Sequence, residues 1–191
     1  MTAELVPPLS CETDELLSKA AALKGLADAV NVTDGAGARA HMSALAGASL
    51  LLQAGIEPIL QMTCRDKNRL ALQSEMMGAA ALGIRNLLLL SGDDPKTGDQ
   101  PDTKPVFDVD SRTLIDTARR LRDEGTLPNG RRLSGKADFF IGAADMPIDP
   151  PDGWQPNGLA ASLVDEPDEL FVDGACQHHL DHLDGLGVGD A

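Results

Sequence analysis

A carboxylate inside an apolar run is the first residue with chemistry in it. Glu4 stands among Ala3, Leu5 and Val6, and Pro7-Pro8 closes the run. Burying such a group costs free energy unless it is paired or protonated. Burial also raises its pKa, which is the condition for a general acid working near neutrality. A second concentration follows the leucine run Leu87-Leu88-Leu89-Leu90, which breaks into Ser91-Gly92-Asp93-Asp94-Pro95. The leucines place that segment inside but give no reason for two carboxylates where it emerges, so residues 91–94 read as the middle of a site. Polar tips close other apolar runs too: Thr33 with Asp34, Gln61 and Thr63 with Arg65 and Asp66, then Asp145 and Asp173. Singly, each has a bland role, since Thr33, Asp34 or Asp66 can cap a helix and Arg65 can pair with Asp66 or Asp93. Their shared position at the ends of apolar runs is what asks for a function.

A further grouping lies in the tail, Cys176-x-His178-His179-x-x-His182, with Asp181 and Asp184 beside it. His178 and His182 have the i, i+4 spacing of two ligands on one helix face. Gly185, Gly187 and Gly189 follow closely and disfavour a stable helix. The expectation is an exposed terminus and no metal.

The elements that would position these residues alternate. Strands are expected at the N-terminus, at 29–33, at 58–63 and at the leucine run, then at 137–143 and 170–175. Helices are expected at 12–26 (capped by Ser10), 42–52, 68–82 (stopped by Gly83), 111–124 and, briefly, 158–164. Strand starts recur at about 28 residues through the first four units, the size of one βα unit. Residues 95–105 form a polar loop, and 177–191 an irregular tail of a single domain spanning 1–191. Strict alternation means an α/β fold with a parallel sheet, whose ligands bind at the carboxyl ends of the strands. A doubly wound sheet usually carries a glycine-rich turn after its first strand, where this chain has Pro7-Pro8. The other parallel architecture is the (β/α)8 barrel, of which about six units are present.

Composition narrows the partners. The net charge is −14, and nothing in such a chain neutralises a phosphate backbone or an anionic bilayer, so neither nucleic acid nor membrane is expected. No apolar run approaches the roughly 20 residues of a membrane span. Cys11, Cys64 and Cys176 show no paired spacing, and no signal peptide leads the chain. Both point to the reducing cytoplasm. With an aromatic share of 3%, packing falls to alanine, leucine and glycine.

Five separated segments, in order, resemble the methylenetetrahydrofolate reductase family. Glu4-Leu5-Val6-Pro7-Pro8 is similar to its first-strand Glu-Phe-Phe-Pro-Pro, and Asn31-Val32-Thr33-Asp34-Gly35 to its second strand end. Gln61-Met62-Thr63-Cys64-Arg65-Asp66-x-Asn68-Arg69 resembles its third. Gly78-Ala79-Ala80 through Gly83-Ile84-Arg85-Asn86 to Gly92-Asp93 matches its helix and fourth strand, and Lys104-Pro105-Val106-Phe107-Asp108 the segment beyond. The resemblance implies a TIM-type (β/α)8 barrel, here incomplete, that binds FAD. It implies reduction of the folate 5,10-methylenetetrahydrofolate to 5-methyltetrahydrofolate with NAD(P)H as donor. By the same resemblance Glu4 is the general acid that opens the folate's five-membered ring, and Asp93 sits between flavin and pterin. Thr33, Gln61, Ser91, Gly92, Asp93 and Asp145 then fall on the cofactor side.

The chain departs from the family pattern in places. Ser91 stands where many members have Arg, and Gln61 where many have His. Ala143-Ala144-Asp145-Met146-Pro147 replaces a Tyr-Pro-Glu-x-His-Pro motif, and Ala175 falls where a pterin-binding Gln is usual. These departures resemble a divergent branch sometimes found beside corrinoid methyltransferases. The competing expectation is therefore a non-catalytic module that binds folate, flavin or a corrinoid-protein partner. Open sheet edges further imply a homo-oligomer or a partner chain that completes the barrel.

Overall fold

The computed structural model describes residues 1–145 and 169–173. Its strands are β1 (Thr2–Leu5), β2 (Ala29–Val32), β3 (Pro58–Thr63), β4 (Asn86–Leu90), β5 (Phe140–Asp145) and β6 (Glu169–Asp173). Between the first five run α1 (Asp14–Leu23), α2 (Ala44–Gln53), α3 (Arg69–Leu82) and α4 (Ser111–Asp123). Short 3-10 turns occupy Ala36–Ala38 and Pro95–Thr97. The expected helix at 158–164, the Cys176–His182 grouping, Ala175 and the tail from 177 lie outside the described residues.

All six strands are parallel and stand in the order β1-β2-β3-β4-β5-β6. That order decides between the two architectures left open by alternation. A doubly wound sheet reverses its strand order at a switch point; a barrel advances one neighbour at a time. This chain advances without reversal, which is the winding of an incomplete α/β barrel.

Strand parity sorts the two faces. Leu5, Val30, Val32, Leu60, Met62, Leu87, Leu89 and Ile141 share one core with Leu16, Ala20, Ala48, Leu51, Leu72, Met76, Ile115 and Leu121 of the helices. Each buried Leu or Ile there contributes roughly 1.5–3 kcal/mol. The alternate residues take the other face, the barrel interior. At its lower end Thr2, Ala29, Ile59, Leu88, Phe140 and Gly142, drawn from β1 through β5, line one small cavity of about 120 Å³. Residues of five strands meet around one space only because the sheet curls.

Local chemistry sets most boundaries. Asn68 caps α3 by accepting from Ala71 N at 3.0 Å, and Gly83 closes it in the left-handed conformation, φ 84°. Asp110 caps α4 through Thr113 N at 2.8 Å, and Leu114, Ile115, Ala118 and Leu121 form its buried stripe. Two elements, α1 and β5, are placed differently from expectation. Ser10 does not cap α1: its Oγ accepts from Glu12 N in a preceding turn, and the helix runs from Asp14 only to Leu23. Gly25, at φ 82°, then turns the chain toward β2 before Leu26 can join the helix. The fifth strand starts three residues later than its apolar pattern suggests, because pairing with β4 begins at Phe140 opposite Asn86. Ala137 and Phe139 are buried all the same.

Candidate functional site

The carboxyl ends of β2, β3 and β4 are tied into one rim. Asp34, just past β2, caps no helix, and its carboxylate is mostly buried. Its Oδ2 accepts from Thr63 N at 2.9 Å, Thr63 Oγ1 at 3.2 Å and Lys67 Nζ at 2.8 Å. Its own N–H donates to Gln61 Oε1 at 3.1 Å. Lys67 also reaches Glu75 at 2.9 Å. Burial pulls the Lys67 ammonium down, but the charges of Asp34 and Glu75 outweigh it and leave its pKa raised.

Arg65 is the second tie. Its guanidinium is buried and forks onto Asp66, with Nε at 2.9 Å and Nη2 at 2.7 Å, while Nη2 also donates to Gly35 O at 3.1 Å. Asp66 is thus Arg65's partner and not a helix cap; Asn68 takes that role. Hydrogen bonding to Asp66 raises the Arg65 pKa further. Gly35 has φ 65°, and a Cβ there would collide with Nη2. Arg65 Nη1 is buried with no partner among the described residues.

The β4 tip closes the rim. Asp93 is exposed, and its Oδ2 accepts from Gly37 N at 3.1 Å, joining the β4 tip to the loop after β2. Gly92, at φ 93°, lies so close to the end of β3 that an added Cβ would be 3.0 Å from Cβ of both Thr63 and Arg65. The tight approach and the positive φ together favour glycine there. Ser91 is exposed. The two carboxylates of the tip divide their work, since Asp94 caps the Pro95–Thr97 turn through Lys96 N at 3.0 Å.

Below the rim, on the interior face, the bonding is sparse. Glu4 is in register with Asn31 of β2, whose Nδ2 donates to Glu4 Oε2 at 3.0 Å. Burial raises the Glu4 pKa, and the Asn31 hydrogen bond opposes this only in part. Thr33 is buried, and its Oγ1 has no partner among the described residues; nor has Asn31 Oδ1. Asp145 ends β5 beside Asp173, the last residue of β6.

The residues singled out in the sequence therefore fall in three places. Gln61 and Asp93 belong to the bonded rim, with Ser91 and Gly92 at its β4 tip. Glu4 and Thr33 belong to the interior face, while Asp145 stands at the next strand end. Sequence reasoning passed over Lys67 and Asn31 as participants. Asn31 had the same signal as Glu4, a polar residue inside the apolar run Ala29-Val30-Asn31-Val32. Lys67 had none, because its strongest partner, Asp34, reaches it only through the fold.

Among the described residues no helix is long and apolar enough to cross a membrane, and no cluster of metal-ligating side chains occurs. No curated protein matches the chain. A family model described as methylenetetrahydrofolate reductase matches residues 1–147. The match takes in β1 through β5 and so every strand end of the rim. This chain belongs to the methylenetetrahydrofolate reductase family, a folate-related reductase family of TIM-barrel fold.

Proposed function

We propose that this protein reduces 5,10-methylenetetrahydrofolate to 5-methyltetrahydrofolate, with FAD as its cofactor and NAD(P)H as electron donor. One observation carries the reading. Glu4 is a part-buried interior carboxyl with a raised pKa and no cationic partner among the described residues. Burial favours the protonated form of such a group, which is the direction a proton donor to a bound substrate needs.

The residues present suit a flavin in part. Thr33 Oγ1 is a buried hydroxyl without a partner at the carboxyl end of β2, as a ligand-facing donor would be. Gln61 and Asp93 each keep polar atoms beyond those used by Asp34 N and Gly37 N. Thr33, Gln61, Ser91, Gly92 and Asp93 are the residues that would hold the cofactor, with Asp145 beside them on β5. FAD bound there would supply the hydride chemistry. The chain's own tasks are then simple. Glu4 protonates the folate nitrogen whose bond opens, Asp93 orients the pterin, and the curled interior face keeps water from the reacting atoms.

Two sheet edges, on β1 and β6, have no paired strand among the described residues. A homo-oligomer or a partner chain covering them is part of this proposal.

Purified protein tests it directly. The expected result is a flavin absorbance band that NADH bleaches and methylenetetrahydrofolate restores. Colourless protein that takes up no added FAD sinks the reading and leaves the non-catalytic binding module. In Glu4→Gln, flavin reduction by NADH should persist while folate reduction is lost; equal loss of both makes Glu4 structural.

A further inference from the structure

We propose that Asn31 is a positioning residue for proton delivery by Glu4. Its amide, in register on the neighbouring strand, fixes the carboxyl's orientation and sets how tightly it holds a proton. This rests on the reductase reading of the site.

The geometry is specific. Glu4 has one hydrogen bond from the described residues, Asn31 Nδ2 to Oε2 at 3.0 Å. Asn31 itself is 6% exposed, and its Oδ1 is buried without a partner. An amide presents a donor on one side and an acceptor on the other, and half a turn about its last bond exchanges them. With Glu4 ionised, Nδ2 donates to it. With Glu4 protonated, the turned amide offers Oδ1 to the carboxyl O–H. The amide keeps the carboxyl oriented in both states, but the charge-assisted bond to the carboxylate is the stronger, so its net effect favours the ionised form.

Nothing charged competes for that role among the described residues. The interior positions around Glu4 are Thr2 on β1, Ala29 and Asn31 on β2 with Thr33 just past it, and Ile59, Gln61 and Thr63 on β3, none of them charged. The helix α1 packs on the opposite face through Leu16 and Ala20. The amino terminus and Asp28 pair with each other beyond the other end of β1. Asn31 is therefore the group whose change must register in Glu4.

The test reads Glu4 directly. In protein labelled with 13C at glutamate, the Glu4 carboxyl resonance is the one missing from Glu4→Gln. Asn31→Leu removes the donor and should move that resonance's midpoint up by about one pH unit. Asn31→Asp keeps the size, adds a like charge, and should move it up as well, so the test survives if the leucine variant does not fold. In folate reduction the activity of a protonated acid falls as pH rises through its pKa. The high-pH limb should shift upward with the midpoint, while the limb for flavin reduction by NADH stays in place. An unmoved midpoint in both folded variants overturns the proposal, as does a uniform loss of both half-reactions at every pH. If the midpoint moves but the wild type reduces no folate, the reductase reading fails and the catalytic role of Asn31 with it, although the Asn31–Glu4 coupling stands.

Discussion

The rim and the interior face lie within a few residues of each other and are built on opposite terms. At the rim, Asp34 takes three donors, Lys67 two carboxylates, Arg65 a carboxylate and a carbonyl, and Asp93 a backbone N–H. On the interior face, Glu4 and Asn31 share a single bond, and Thr33 Oγ1 and Asn31 Oδ1 have none from the described residues. Buried polar atoms left unpaired cost roughly 1–3 kcal/mol each. At the rim only Arg65 Nη1 is left unpaired among the described residues, so the bonded rim holds the site's shape and more of the spare bonding capacity lies on the interior face.

The largest effect should come from breaking the rim at Gly35. An alanine there must adopt φ 65° and push its Cβ into the buried Arg65 guanidinium. Left-handed strain is about 1–2 kcal/mol, and a displaced, half-unpaired guanidinium adds to it, so a loss of about 3 kcal/mol is expected. Gly37 supplies the control. It has a similar φ of 60° but nothing within 4 Å of an added Cβ. Gly37→Ala should cost only the backbone strain, about 1 kcal/mol. Urea midpoints of the two variants measure the contrast, and equal losses would mean that the Arg65 contact holds nothing.

Next in size is Lys67→Met, which leaves Asp34 and Glu75 mostly buried without their cation. A loss of about 2 kcal/mol at neutral pH is expected, below the range for fully buried pairs because all three side chains keep some exposure. Lys67 has a pKa raised above its ordinary 10.5, so its contribution is complete below that value and disappears as pH rises through the folded-state value. Denaturation curves from pH 7 to 11 test that limb.

How much of this was legible in the sequence follows the same division. The leucine strand, the Gly83 stop and the stripe of α4 were readable because each is local: a run, a left-handed glycine, a helical period. Glu4 was readable as a polar residue breaking an apolar run, and Asn31 carried the same mark. The rim network was not readable. Asp34 lies 33 residues from Lys67, and all three residue types, Glu75 included, are equally at home on a solvated surface. Asp34 suited a helix cap locally, yet the packing of strand tips gave it Thr63 instead, whereas Asp66 pairs with its neighbour Arg65, the local alternative the sequence offered.

The smallest effect on stability and the largest on chemistry should coincide in Glu4→Gln. Burial raises the Glu4 pKa, so the folded state holds its proton more tightly than the unfolded chain does. The sign then follows from linkage: the contribution of Glu4 is complete below its ordinary value of 4.5 and lost as pH rises through the folded-state value. A neutral glutamine of the same shape, still able to accept from Asn31 Nδ2, escapes that loss. The variant should be slightly more stable than the wild type at pH 7, by well under about 1 kcal/mol once solvent screening of a part-exposed group is allowed for. At pH 4 the two should melt together. A site residue whose removal improves the fold is one retained for chemistry. If Glu4→Gln is instead less stable at pH 7, the carboxylate is holding the interior together and belongs with the rim.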